Sequence, residues 1–268
     1  MKLLKQLSLD PDQSTGGIDF KQRTLPKEGR HVIRNYGVID LGKHPVVFEG
    51  KATLDKEGKQ VYQNQIALLF EFPKVLEAFK EGEAPTPFTI AQEYTFIASD
   101  RAKICKVLKS WGKLKESPKK LNLKPYLGKY CEANITHSIS KKDPSKVYAN
   151  IGDAGRDILP LTKEFENPAE PGKIIKLVDE NNVPVGCRAH NKDIWFDLDN
   201  FSWEQFKMIP KYVQDKIRKS VEFPAILQKF PEPAVPGTQV NHAASPAVNS
   251  AQPVAQAETL GDDAAPVF

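Results

Sequence analysis

One segment restricts the fold more than any other in this chain. Residues 59–72 are rich in β-branched and aromatic side chains. The apolar ones recur at every second position, at Ile66, Leu68, Phe70 and Phe72. This alternation places them on one face of a β-strand, and Pro73, which lacks a backbone N–H, predicts that the strand ends there. The chain is therefore expected to build a sheet with at least one buried face.

Four other segments share this strand-like composition. They are residues 31–41, 87–98, 129–139 and 146–152, and the last two are predicted to pair as a hairpin through 141–145. Five strands, with one helix between the third and fourth, predict a mainly β fold: an OB-fold-like β-barrel, the oligonucleotide-binding Greek key.

The single helix is predicted from residues that repeat every three or four positions. Ile104, Leu108 and Trp111 form its apolar side. Ser99 is the predicted N-cap, and Gly112 marks the predicted end. Lysine side chains on the opposite side make this helix amphipathic and basic.

Composition divides the chain into four regions. These are an N-terminal extension (1–29), the OB-like nucleic-acid-binding barrel (30–152), an extension with short helices (153–229) and an acidic tail (230–268). The tail has six prolines after Phe230 and few large apolar residues, which predicts disorder. In the third region, apolar side chains are predicted to pack on the barrel or on a second protomer, so a homo-oligomer is left open: Trp203, Phe206, Ile209, Tyr212, Val213 and Ile217.

Charge is concentrated in one stretch. The chain has 38 Lys and Arg residues against 34 Asp and Glu, yet residues 101–129 hold ten cations against Glu116 alone. Such a concentration favours a polyanionic partner, and tyrosines on the predicted strands could stack on the bases of a single-stranded nucleic acid. The predicted nucleic-acid contacts are Arg101, Lys103, Lys106, Lys109, Lys113, Lys115, Lys119, Lys120, Lys129, Tyr62, Tyr94, Tyr130 and Tyr148.

Several segments, in this order, resemble phage single-stranded DNA-binding-like proteins. They are residues 36–42, 65–73, 109–111, 127–131, 147–151, 195–199 and 209–220, so the resemblance covers about residues 30 to 222. It implies an oligonucleotide-binding fold and a non-catalytic protein that coats and protects single-stranded DNA during phage DNA replication or recombination. It does not identify the contact residues.

The end of the tail also resembles a known peptide. Two carboxylates precede a Pro-Val-Phe terminus, similar to the acidic, Pro-Phe-terminated tip through which bacterial and phage single-strand binders recruit replication partners. Here Val267 separates the proline from the phenylalanine. The resemblance implies that replication or recombination proteins bind Asp262, Asp263, Pro266 and Phe268.

Enzyme classes receive little support from the sequence. The chain lacks a Walker A loop, a Gly-x-Gly-x-x-Gly motif and a Gly-x-Ser-x-Gly elbow. No cofactor and no metal are predicted. The remaining enzyme alternative is a Mg²⁺-dependent nuclease or recombination enzyme, with carboxylates from Asp153, Asp157, Asp193, Asp197 and Asp199. A third alternative is a phage protein that binds and inhibits a host factor.

Neither a membrane segment nor a disulfide framework is predicted. The longest uncharged apolar run is about five residues, far below the roughly 20 that cross a bilayer. The three cysteines are widely spaced and contain no Cys-x-x-Cys pair. The expected location is the cytoplasm of a bacterial host.

Overall fold

The longest strand lies at the centre of the sheet and organises the rest. The structure, a computed structural model, describes residues 24–78, 82–112, 114, 119–140, 143–144, 146–152 and 158–233. Its strands are β1 (Gly29–Pro45), β2 (Val47–Phe48), β3 (Lys51–Ala52), β4 (Tyr62–Glu77), β5 (Thr86–Thr95), β6 (Tyr130–Ile139), β7 (Val147–Ile151), β8 (Ile158–Leu159), β9 (Glu164–Glu166), β10 (Ile174–Lys176) and β11 (Ile194–Phe196). Its α-helices are α1 (Lys103–Ser110), α2 (Trp203–Met208), α3 (Lys211–Arg218) and α4 (Phe223–Lys229).

Seven of these strands form one sheet. The order is β5-β4-β1-β6-β7, with β8 added beside β6 and β11 running parallel to β1. The predicted hairpin is confirmed by the antiparallel pairing of β6 with β7. In spatial order, β6-β1-β4-β5 is a Greek key, because the strand after the helix returns to lie beside the first.

The prediction of a mainly β fold is confirmed, and its details need correction. Within the described residues, β5 and β7 are the two edges of the main path and do not pair, so the sheet is not closed into a barrel. Two short strands from the region predicted as a helical extension, β8 and β11, join the sheet. Sequence alternation cannot reveal strands of two or three residues, because they are defined by their partners.

Both faces of β4 are buried, one more than its alternation predicts. Ile66, Leu68, Phe70 and Phe72 belong to one core, which confirms that they share a face, and Ala67 and Leu69 belong to a second core on the other face. We call the α1 side the inner face and the opposite side the outer face. The predicted end at Pro73 is wrong, because β4 continues to Glu77. Pro73 lies where the pairing with β5 is irregular, between Phe72 and Leu76, and a missing N–H is tolerated there.

Helix α1 covers the inner face. Ile104, Leu108 and Trp111 are all buried, which confirms the predicted apolar side. The predicted N-cap is wrong. Ala102 precedes the helix, and its N–H donates to the Ser99 carbonyl at 2.9 Å, so residues 99–102 form a turn before the helix begins. Just past the helix, Gly112 adopts φ 81°, a left-handed conformation that favours glycine.

Helices α2 to α4 cover the outer face of β1, β4 and β11. The six apolar side chains predicted to pack on the barrel or on a second protomer all belong to the outer core or pack against it: Trp203, Phe206, Ile209, Tyr212, Val213 and Ile217. Helix α4 was not predicted, although Pro224 in its first turn is a common start signal. None of the helices in the described part of the chain has the length and apolar character of a membrane-spanning segment.

The ordered contacts extend slightly past the predicted start of the tail. The Trp203 Nε1–H donates to the carbonyl oxygens of Phe230 and Pro231, at 3.2 and 3.0 Å. Arg218 binds both carboxylate oxygens of Glu232, and this hydrogen bond lowers the pKa of Glu232. Residues 230–232 therefore belong to the helical layer, and the predicted tail from residue 234 onward lies outside the described residues.

Candidate nucleic-acid interface

The structure divides the four predicted stacking tyrosines between the two faces of the sheet. In β6, Cys131, Ala133 and Ile135 point into the inner core, so Tyr130 at the preceding position points outward. Tyr148 of β7 pairs with Ser138, and paired residues in an antiparallel ladder share a face. Tyr130 and Tyr148 therefore lie on the outer face.

Tyr94 does not face solvent. Tyr94 pairs with Ile66 and is 3% exposed in the inner core, where burial raises the pKa of its hydroxyl. The prediction that Tyr94 stacks on a base is therefore wrong. The aromatic residue satisfied the strand pattern as a core residue.

Tyr62 is exposed and lies apart from the other three tyrosines. It is 49% exposed at the start of β4, where it pairs with Pro45 at the far end of β1. Tyr130 pairs with Arg34 of β1. Arg34 lies eleven positions before Pro45, which corresponds to about 36 Å along the strand. Tyr62 therefore does not belong to the surface that contains Tyr130.

The outer face of β6 and β7 is polar and is not covered by the C-terminal helices. Among the described residues, the outer core includes none from these two strands. Thr136 and Ser138 are exposed, and Tyr130 and Tyr148 are partly exposed. We call this surface the open face; it consists of Arg30, Tyr130, Asn134, Thr136, Ser138, Tyr148 and Asn150. Glu132, on the same side of β6, is buried, and its carboxylate accepts a hydrogen bond from the Thr162 N–H at 2.8 Å.

The polar groups of the open face are ordered by contacts among themselves. The Asn150 Nδ2–H donates to Ser138 Oγ at 2.7 Å, and Arg30 pairs with the Glu132 carboxylate at 3.3 Å. The Arg30 side chain keeps 61% of its surface exposed. Hydroxyl, amide and guanidinium groups of this kind commonly contact phosphate and sugar oxygens.

The predicted cations lie just before, on and after helix α1. Arg101, Lys103 and Lys106 are exposed, whereas Lys109 forms an ion pair with Asp100. Lys119, Lys120 and Lys129 are also exposed. Lys113 and Lys115 lie outside the described residues.

These cations and the open face meet at one place. Helix α1 packs on the inner face, so its lysines do not share a surface with Tyr148. The segment after α1 then runs to Lys129, which directly precedes Tyr130. Two hydrogen bonds hold the backbone of Lys129 and Tyr130 in place. The Asn35 N–H donates to the Lys129 carbonyl at 3.0 Å, and the Trp111 Nε1–H donates to the Tyr130 carbonyl at 3.4 Å. Lys129 and Tyr130 therefore connect the basic stretch to the open face.

A buried ionic network lies beside Tyr130, whose partner in β1 is Arg34. The sequence analysis did not predict this network. Glu71 is fully buried and accepts a hydrogen bond from Arg34 Nη1 at 2.9 Å. It also accepts from the backbone N–H groups of His190 and Asn191, and from the Asn191 side chain. The other Arg34 nitrogen pairs with Asp193. A charged residue in a strand pattern reads as solvent-facing, so only the tertiary structure reveals this pair.

The same network restricts the turn before Tyr130. Gly128 has φ 73°, and a Cβ atom there would lie 2.7 Å from Asp193 Oδ2. Its N–H donates to the Asn35 carbonyl at 2.7 Å. The positive φ therefore favours glycine here, and any larger residue would also require the Asp193 carboxylate to shift.

A separate groove opens on the inner face, with a volume of about 990 Å³. Val38, Ile66, Leu121 and Leu123 give it an apolar floor, and Phe96 and Trp195 supply aromatic surface. Four carboxylates and two lysines line it, which gives two net negative charges. We call it the acidic groove; its charged residues are Asp40, Asp197, Asp199, Glu222, Lys43 and Lys120. This charge balance disfavours phosphate, so the groove is a poor path for a nucleic-acid backbone.

Asp40 is a partly buried carboxylate of the groove, and its pKa is raised. Burial raises its pKa, and the nearby carboxylates of Asp197 and Glu222 add to this, while backbone N–H donors from Gly42 and Leu198 oppose it.

We predict that Asp40→Asn stabilises the fold at neutral pH. The pKa of Asp40 is higher in the folded state than in the unfolded state, so the folded state holds the proton more tightly. The free energy of unfolding therefore falls as pH rises from the unfolded-state pKa to the folded-state pKa. The gain should be complete above the folded pKa of Asp40 and should shrink under acidic conditions. Urea unfolding of both proteins across that pH range measures it. A gain that does not depend on pH would contradict the electrostatic explanation.

The carboxylates proposed for the nuclease alternative make other contacts. Asp193 pairs with Arg34, and Asp197 accepts hydrogen bonds from the Asp199 N–H and the Asn200 side chain. In the part of the chain that the structure describes, no group of three or more His, Cys, Asp or Glu side chains is arranged to hold a metal ion. Asp153 and Asp157 lie outside that part, as does the predicted partner-binding tip, Asp262, Asp263, Pro266 and Phe268.

Comparison with known proteins adds no family to these observations. No protein-family model matches the chain, and a search of curated proteins finds none that is significantly similar. The resemblance to phage single-stranded DNA-binding-like proteins therefore rests on the sequence segments quoted above.

Proposed function

We propose that this protein binds single-stranded DNA, without catalysis, through the open face and the basic stretch that leads to it. One observation carries the proposal: Tyr130 and Tyr148 point from the same polar face of the sheet, on two strands that helices α2 to α4 leave uncovered. Ser138 lies eight residues after Tyr130 in β6 and pairs with Tyr148, so the two rings are separated by about 26 Å along the strand. An extended strand of nucleic acid could stack on both rings at once.

The chemistry of the surface supports a ligand with both bases and phosphates. Aromatic rings stack on bases whatever the sequence, and exposed cations attract the backbone. Arg101, Lys103, Lys106 and Lys129 are exposed, and hydroxyl and amide groups flank the two tyrosines.

The sheet topology supports an oligonucleotide-binding fold of the open kind. A partly open, five-stranded Greek key with a helix between its third and fourth strands would have the order β5-β4-β1-β6-β7, which is the main path of this sheet. In this chain, helices α2 to α4 cover the outer face of β1 and β4. The ligand is therefore assigned to β6 and β7, which those helices leave uncovered.

The biological role that we propose is to coat and protect single-stranded DNA in phage replication or recombination. The C-terminal tip, through Asp262, Asp263, Pro266 and Phe268, would recruit replication or recombination proteins. These parts of the proposal rest on the sequence resemblance.

The test is a competition titration of the full chain with single-stranded DNA, duplex DNA and single-stranded RNA. Single-stranded DNA should bind best. If about five cations meet phosphates, log K should fall with log salt with a slope of about −3.5, at about −0.7 per contact. Equal affinity for duplex and single strand, or a flat salt dependence, would rule out the proposed mode.

A further inference from the structure

We propose that the acidic groove binds the basic, leucine-rich segment formed by residues 1–9 of a second copy of this chain. The copies would associate head to tail, each inserting its N-terminal segment into the groove of the next. This inference concerns self-association and does not depend on the proposed nucleic-acid function.

The groove has the features of a peptide-binding surface. Its apolar floor, formed by Val38, Ile66, Leu121 and Leu123, lies beneath aromatic surface from Phe96 and Trp195. Trp195 is 39% exposed in β11, although its neighbours Ile194 and Phe196 are buried. An exposed tryptophan beside an apolar floor offers a large contact area to an incoming apolar side chain.

The charges around the floor select a basic ligand. The carboxylates of Asp197 and Glu222 line the same groove as Asp40 and lie close enough to contribute to its raised pKa. Asp199 is exposed at the same groove. A cationic side chain placed here would relieve carboxylate repulsion, whereas the acidic tail of the chain would increase it.

The chain contains one segment of matching chemistry outside the described residues. Residues 1–9 have two lysines, Lys2 and Lys5, and no carboxylate, and four leucines lie among them. Residues 234–268 have no lysine or arginine. Charge complementarity therefore assigns the N-terminal segment to the groove.

Distance favours a neighbouring copy over the same copy. The Thr24 N–H donates to the Glu77 carboxylate at 2.7 Å, so the chain enters the fold at the far end of β4. Ile66 in the groove lies eleven residues away along this strand, or about 36 Å. The 14 residues from 10 to 23 span at most about 46–50 Å when fully extended, so docking within one copy would require the linker to extend to about three quarters of that length. A second copy imposes no such requirement, and head-to-tail contacts of this type build rings when the rotation between copies closes and open chains when it does not.

The experiment is sedimentation velocity of the full chain without nucleic acid, over a range of protein and salt concentrations. The wild-type chain should associate as its concentration rises, and salt should weaken the association. Lys2→Glu/Lys5→Glu alters the segment, and Asp199→Lys alters the groove. Each variant should reduce the association constant by a factor of about ten or more.

Matched controls carry the same charge changes elsewhere. Lys103→Glu/Lys106→Glu on α1 and Glu180→Lys on an exposed loop should associate like the wild type. Circular dichroism and thermal unfolding establish that all variants are folded.

Mixing the two altered proteins gives the decisive result. The Asp199→Lys protein keeps an intact N-terminal segment, and the Lys2→Glu/Lys5→Glu protein keeps an intact groove. Their mixture should form a 1:1 dimer that grows no further, although each protein alone remains monomeric. A wild-type chain that stays monomeric, variants that associate normally, or a mixture without the dimer would overturn the proposal.

Discussion

Replacing Glu71 by alanine is expected to destabilise the fold by about 3–5 kcal/mol, because it leaves the buried Arg34 guanidinium without its main counter-charge. Arg34 is 6% exposed and Glu71 is fully buried. The change also removes the acceptor for the His190 and Asn191 N–H groups. Urea unfolding at neutral pH measures the loss.

Asp193→Ala is the matched control for this prediction. Asp193 also pairs with Arg34, but its side chain is 43% exposed, so solvent replaces most of what is lost. A cost of about 1 kcal/mol or less is expected. A double replacement, Arg34→Met with Glu71→Met, should cost less than Glu71→Ala alone, since the only charge that loses its partner is that of the half-exposed Asp193. Equal effects of Glu71→Ala and Asp193→Ala would show that burial does not control the strength of this pair.

Sequence patterns correctly predicted the elements in which the spacing of apolar residues alone determines which side chains are buried. The alternation in β4 and the three- and four-residue spacing in α1 place their apolar side chains correctly. The end of β4 and the start of α1 were misplaced, because a bulge accommodates Pro73 and a turn uses Ser99 differently. The first depends on pairing with β5, and the second on a local turn in which the Ala102 N–H bonds to the Ser99 carbonyl.

The candidate site was only partly predictable from the sequence, because it also depends on contacts between distant parts of the chain. Alternation showed that the four tyrosines lie on strands but could not say which face would be covered. The apolar positions at Cys131, Ala133 and Ile135 were the available signal, since they assign Tyr130 to the opposite face. Register with β7 was needed to add Tyr148, and the packing of α2 to α4 was needed to show which surface stays open.

Tyr130 and Tyr148 should therefore contribute to DNA binding, and Tyr62 should contribute little. Tyr130→Leu and Tyr148→Leu should each weaken binding of single-stranded DNA by about 1–3 kcal/mol, which is about 5- to 150-fold. The reason is that leucine keeps apolar contact with the sheet but has no flat π surface for a base. Fluorescence titration with a labelled oligonucleotide at fixed salt measures the loss.

Three comparisons separate stacking from loss of structure. Tyr130→Phe and Tyr148→Phe keep the ring and should retain most of the affinity, while thermal unfolding should show that the leucine variants remain folded. Tyr62→Leu, at an exposed position away from the open face, should bind nearly as the wild type does. Tyr94→Leu should lower stability in the inner core, since Tyr94 is only 3% exposed there. If Tyr62→Leu weakened binding as much as Tyr130→Leu and Tyr148→Leu did, or if those two bound normally, the DNA would not follow the open face.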